Sequence, residues 1–193
     1  MQAAIVIAGF PGVGKSELFK KGIDGFKIYD SDSSKYSWIY DENGNKTDQR
    51  NPDFPDNYIQ HIKEHLDDEK AIILVSTHKE VREALVKAKI HFTIIVPTFA
   101  SREDYLENYE NRGNDQSFIY MMAKNFVSFI FEIMDFCNAS IYPENAKYAE
   151  FCMLKPGAYL KDYVEYQLNL VKKIGIFENK TASACEAYGM DAD

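Results

Sequence analysis

The sequence predicts a three-layer α/β/α protein built on a five-stranded parallel sheet. Three features carry that expectation. Apolar runs of strand length recur at residues 3–8, 26–29, 71–75, 92–96 and 150–154. Stretches of helical period separate them, the alternation that produces parallel strands joined by right-handed crossovers. A glycine-rich turn, Gly9-Phe10-Pro11-Gly12-Val13-Gly14-Lys15-Ser16, links the first run to the first helical stretch.

That turn fits the P-loop pattern G-x-x-x-x-G-K-[ST] without a gap. Gly9, Gly12 and Gly14 lack a Cβ, so the backbone can turn successive N–H groups inward on phosphate oxygens. Pro11 and Val13 complete the loop. A helix starting near Lys15 adds its N-terminal dipole; Lys15 reaches the β- and γ-phosphates and the Ser16 hydroxyl suits Mg²⁺. The expected ligands are therefore ATP and Mg²⁺, in a P-loop NTPase fold.

The remaining elements follow in order. Gly22 and Gly25 end the first helix, and residues 26–29 run straight into Asp30-Ser31-Asp32-Ser33-Ser34. Carboxylates thus stand at the C-terminal tip of a strand, the edge where open α/β sheets bind ligands. Asp30 and Asp32 alternate, so a persisting strand geometry puts them on one face toward the phosphates; the same string also suits a helix cap or turn. Residues 36–57 are rich in Asp, Asn, Gly and Pro, with a turn signal at Asn43-Gly44, and read as a long substrate-side excursion. Asp56 is a candidate cap for a helix to about Leu66.

Residues 71–75 form the third strand and end in Ser76-Thr77-His78 without a carboxylate. A helix over 79–89 follows, then the strand over 92–96, stopped by Pro97. Ser101 with Asp104 resembles a capping pair for the next helix, which ends at Arg112-Gly113-Asn114-Asp115. Residues 115–136 carry the longest helical pattern, a core stripe from Phe118 to Met134. Residues 150–154 supply the fifth strand and residues 158–174 the last helix. One domain spans 1–177, with a short lid at about 111–117, and 178–193 is a weakly held tail.

Composition narrows the partners. With 193 residues, 46% hydrophobic and 27% charged, the chain is an ordinary globule. A formal charge of −8 argues against a dedicated nucleic-acid surface, which needs a basic face. No run reaches the ~18 to 20 apolar residues a membrane span needs, no signal segment is legible, and Cys137, Cys152 and Cys185 lack metal-type spacing. A cytoplasmic protein acting on a small-molecule substrate is expected, its oligomeric state open, a homodimer included.

Three functions compete at such a loop: a small kinase, a GTPase-type switch and an assembly ATPase. A switch needs Asp-x-x-Gly after an apolar strand, yet Asp41-Glu42-Asn43-Gly44 lies in the polar loop. An assembly ATPase needs acids at the end of the third strand, and none is there. Gly9–Ser16 with Tyr29-Asp30-Ser31-Asp32 resembles the small P-loop kinases, including shikimate, gluconate and nucleoside monophosphate kinases, and residues 3–172 resemble phage and bacterial nucleotide kinases. The resemblance implies that Asp30 serves the metal and Asp32 the acceptor, that Arg82 after Ser76-Thr77-His78 faces substrate, and that Arg112 stabilises the transferred phosphoryl. The glycine triplet of shikimate kinases is absent.

The preferred acceptor is a (deoxy)nucleoside monophosphate. Arg50 and Arg82 can clamp its phosphate, His78 lies at the same edge, and Tyr36, Trp38, Tyr40 and Phe54 can stack on a base. Alternatively these aromatics pack the loop and the arginines make ion pairs; a nucleoside, polyol or sugar acid then fits better, with Asp32 as base. One further string, His61-Ile62-Lys63-Glu64-His65, matches H-x-x-E-H of zinc proteases. It lacks an identifiable third ligand and reads as an exposed helix face.

Overall fold

The computed structural model describes residues 2–174. Strand β1 (Ile5–Gly9) leads through the glycine turn into helix α1 (Lys15–Lys21), which closes at Gly22 with φ 68°, a left-handed angle glycine accepts without strain. Strand β2 (Lys27–Asp30) is followed by a one-turn helix α2 (Ser34–Ser37) and by two short strands, β3 (Trp38–Tyr40) and β4 (Lys46–Arg50). Helix α3 (Asp56–Lys63), strand β5 (Ala71–Ser76), helix α4 (Lys79–Lys87) and strand β6 (Phe92–Pro97) come next. Helices α5 (Arg102–Asn111) and α6 (Gln116–Cys137) lead to strand β7 (Ala149–Leu154) and helix α7 (Leu160–Ile174).

The main sheet has the order β2-β5-β1-β6-β7, parallel throughout. Its centre is dry: Ile72 to Val75 and Ile94 to Val96 are fully buried, as strands covered on both faces must be. Helix α1 packs on α7, while α3 packs on α4 and α5 on α6. With the right-handed crossovers general to parallel sheets, the leftward step from β1 to β2 and the rightward steps from β2 to β5, β5 to β6 and β6 to β7 send α1 to one face and α3 to α6 to the other. The expected α/β class and five-stranded parallel sheet are both observed, in an arrangement compatible with three layers.

Several local expectations change. The excursion over 36–57 is not structureless: β3 and β4 pair antiparallel in a separate ribbon. Its Asn43-Gly44 turn is organised by Asp41, whose carboxylate accepts from the Asn43 and Asn45 amides, with Gly44 at φ 77°. Asp56 does not cap α3, because Pro55 holds the cap position and Asp56 is already helical. Ser101 precedes α5 but makes no side-chain cap, since a 3₁₀ turn over Phe99–Ser101 leads the chain into the helix. Asp115 does cap α6, accepting from the Ser117 amide at 2.7 Å.

Helix α6 is, among the described residues, long and apolar enough by length and composition to cross a membrane, contrary to the sequence expectation. Its Ile119, Met122, Phe126, Ile130, Ile133 and Phe136 are buried in the core. The proposed tail over 178–193 lies outside the described residues.

Candidate functional site

Because all five strands of the sheet are parallel, their C-terminal tips share one edge. Gly9 stands opposite Ser76 and Asp30 opposite Leu74 in the register, so the glycine loop, the Asp30-Ser31-Asp32 string and Ser76-Thr77-His78 emerge side by side. Ser31 extends the pairing, its amide donating to the Leu74 carbonyl at 3.0 Å.

The loop is fixed from several sides. The Phe10 amide donates to Ile95 O on β6 at 2.9 Å, and the Leu160 amide at the start of α7 donates to Val13 O at 2.8 Å. Gly12 and Gly14 take φ values of 88° and 103°, where an L side chain is strained. A Cβ at Gly9 would meet the Lys15 stem and Val13 at 2.9 Å, and one at Gly12 would meet the Tyr109 ring at 2.9 Å and the Tyr105 ring at 3.0 Å. Among the described residues, the amides of Gly12, Gly14, Lys15 and Ser16 have no internal acceptor. Four donors on one tight turn, beside an ammonium, form a cradle whose chemistry suits a polyanion.

Lys15 is folded back over that turn and donates to Gly9 O. Burial pulls its pKa down to about 8, against the opposing pull of Asp30 and then Asp32, whose negative charges favour its charged form. The two acids therefore lie within electrostatic reach of Lys15. Asp32 is also engaged locally: Oδ1 accepts from the Ser34 amide at 2.9 Å and Oδ2 from the Ser34 hydroxyl at 2.8 Å. The turn alternative for this string is thus present together with the convergence on Lys15. Ser16 is exposed on the first turn of α1.

His78 opens α4 at the same edge. Burial lowers its pKa and the Lys15 charge lowers it further, with Arg50 adding to that effect, so the imidazole is held toward its neutral form. Arg50, on β4, pairs with Glu80 at 2.9 Å on the surface and lies over the Trp38 and Phe54 rings. Tyr36 is stacked on His61 and, like Phe54, packs against Tyr58 of α3, while Trp38 lies under Lys46 and Arg50 and Tyr40 is exposed. Arg112 is exposed at the end of α5, where its charge is felt by Glu17, Tyr105 and Tyr109.

Arg82 departs from its expected place. It is 1% exposed, donates from Nε to Thr77 O at 2.9 Å, and is held bidentate by Glu132 of α6 at 2.7 and 2.8 Å, over the Phe136 ring. Its Nη1 is buried without a partner, so this guanidinium joins α4 to α6 from inside the core and does not stand at the surface of the site.

Sequence reasoning missed the backing of the loop. Tyr109 donates its hydroxyl to Pro11 O at 2.7 Å, and Tyr105 packs beside it with its own hydroxyl buried and unpartnered. Their spacing on α5 was legible as an inward face; their destination was not. Ser31 and Ser76 also escaped notice. Ser31 is buried, its carbonyl accepting from Tyr58 and its hydroxyl lying 3.1 Å from His61 Nε2, while Ser76 Oγ is buried without a partner at the tip of β5. No protein-family model matches the chain, and no curated protein matches it.

Proposed function

We propose that the protein is an ATP- and Mg²⁺-dependent phosphotransferase of the P-loop kinase kind, moving the γ-phosphoryl to a small acceptor. One observation carries the reading: a turn of unpaired amides and the Lys15 ammonium face two carboxylates across one sheet edge. The triphosphate suits that turn because its amides lack other acceptors, while glycine at 9 and 12 lets Lys15, Val13 and the Tyr105 and Tyr109 rings close on the loop that presents them. Ser16 and Asp30 are the residues that would hold Mg²⁺, which when bound supplies charge neutralisation on the phosphates.

The chain's own contribution is positioning and electrostatics. The amides of the glycine loop orient the phosphates, and Lys15 offsets charge on the transferred group. Arg112 supports the same charge once the end of α5 approaches. Asp32 orients the acceptor, and His78, held neutral, can donate or accept a hydrogen bond there.

For the acceptor we propose a (deoxy)nucleoside monophosphate, with Arg50 released from Glu80 to hold its phosphate. A second reading is favoured by a specific observation. Arg82 is buried against Glu132, leaving one arginine where a phosphate clamp uses two. A hydroxyl acceptor such as a nucleoside, polyol or sugar acid needs no clamp, and Asp32 would then take its proton. A panel of these acceptors, assayed for ATP-dependent product with Mg²⁺, tests both. Asp32→Asn at near-normal rate with a monophosphate supports the first; a fall of about a hundredfold or more with a hydroxyl acceptor supports the second. No product from any acceptor, with ADP release equally absent, contradicts the reading.

A further inference from the structure

The string His61-Ile62-Lys63-Glu64-His65, read from the sequence as an exposed helix face, holds both of its histidines half-buried. Helix α3 ends at Lys63, so Glu64 and His65 sit in the turn that closes it. Each is held by an aromatic ring. His65 is stacked on Tyr29 with centroids 3.9 Å apart, and His61 on Tyr36 at 4.9 Å. Ligand atoms from His61, Glu64 and His65 all lie within 4.8 Å of one another.

We infer that His61, Glu64 and His65 form a binding site for a zinc-class divalent cation, separate from the Mg²⁺ expected at the glycine loop. The donor set decides the class. Two imidazoles and one carboxylate suit zinc and its neighbours, whereas Mg²⁺ prefers oxygen ligands and retained water. Tetrahedral zinc with bonds of about 2.1 Å places its ligands about 3.4 Å apart, so the group must contract by at most about 1.4 Å. Glu64 is exposed and can swing inward, while the stacked rings keep the imidazoles near their present places.

The surroundings supply what a metal-bound histidine needs. His61 Nε2 lies 3.1 Å from Ser31 Oγ, so the ring can donate there and keep Nδ1 as its lone-pair nitrogen. That partner stands between Asp30 and Asp32. A cation at this site therefore stiffens the acid-bearing turn from outside. The reading does not need the chain to be a kinase, and it is not a hydrolase site: Glu64 serves as ligand, leaving no carboxylate in the motif to act as base.

The test uses the purified full chain dialysed against Zn²⁺ with Mg²⁺ in excess and no nucleotide, followed by metal analysis and Co²⁺ substitution. One equivalent of zinc is expected, with cobalt absorption of a nitrogen and oxygen site. His65→Gln should lose the equivalent and Glu64→Gln should weaken binding at least about tenfold. Both variants should keep wild-type circular dichroism, since neither residue belongs to the buried core. Less than stoichiometric zinc in the wild type, unchanged binding in His65→Gln, or cobalt–thiolate charge-transfer bands would each overturn the assignment.

Discussion

Lys15 has a pKa lowered to about 8, because burial disfavours its charge more than Asp30 and Asp32 restore it. That value makes triphosphate binding depend on pH in a calculable way. The charged fraction is about ten-elevenths at pH 7, half at pH 8 and about one-eleventh at pH 9. If only the ammonium form holds the phosphates, the association constant for Mg–ATP falls about tenfold between pH 7 and pH 9. A bound polyanion favours the charged form, so binding near pH 8 must also take up about half a proton. Calorimetric titration in buffers of differing ionisation enthalpy reads both quantities. Lys15→Arg, whose guanidinium stays charged, should flatten the profile. A wild-type affinity constant to pH 9, or an unchanged midpoint in Lys15→Arg, would refute the reasoning. The sign for folding is the reverse: the buried ammonium costs the protein stability at pH below 8, and the cost is relieved as pH rises toward 10.5.

Other perturbations test single contacts. Gly12→Ala meets both a left-handed φ of 88° and the Tyr109 ring at 2.9 Å, and should cost about 2 to 4 kcal/mol in chemical denaturation with loss of ATP binding. Tyr109→Phe removes the bond to Pro11 O and should cost about 1 kcal/mol, with a higher KM for ATP and a smaller change in kcat. Glu132→Ala strands the buried Arg82; since Glu132 is itself half-exposed, a loss of about 2 kcal/mol is expected in urea unfolding, without a selective effect on ATP affinity.

The parts of the molecule that were legible in advance are those where local chemistry has few solutions. Apolar runs of five or six residues have to be covered on both faces, and the glycines at 12 and 14 occupy backbone angles other residues avoid. The ribbon of β3 and β4 was hidden because its Lys46 to Arg50 strand is polar and exposed, so no alternation marks a buried face. Its turn alone was readable. Arg82 was misplaced for a different reason. Val81 and Leu85 announce the inward face of α4, but nothing local says that Arg82 beside them meets Glu132, fifty residues away on a helix whose pattern reads as core. The backing of the loop by Tyr105 and Tyr109 is likewise a long-range fact. So is the approach of His61 to Ser31, which joins two separately legible strings.

The account stands or falls on the glycine turn as a triphosphate cradle. The most direct measurement is binding of Mg–ATP to the purified chain at pH 7, compared with Lys15→Ala shown by circular dichroism to keep the fold. Saturable one-to-one binding in the wild type, weakened at least about a hundredfold in the variant, is the predicted result. Equal affinity in the two proteins, or no saturable binding in the wild type, would contradict it.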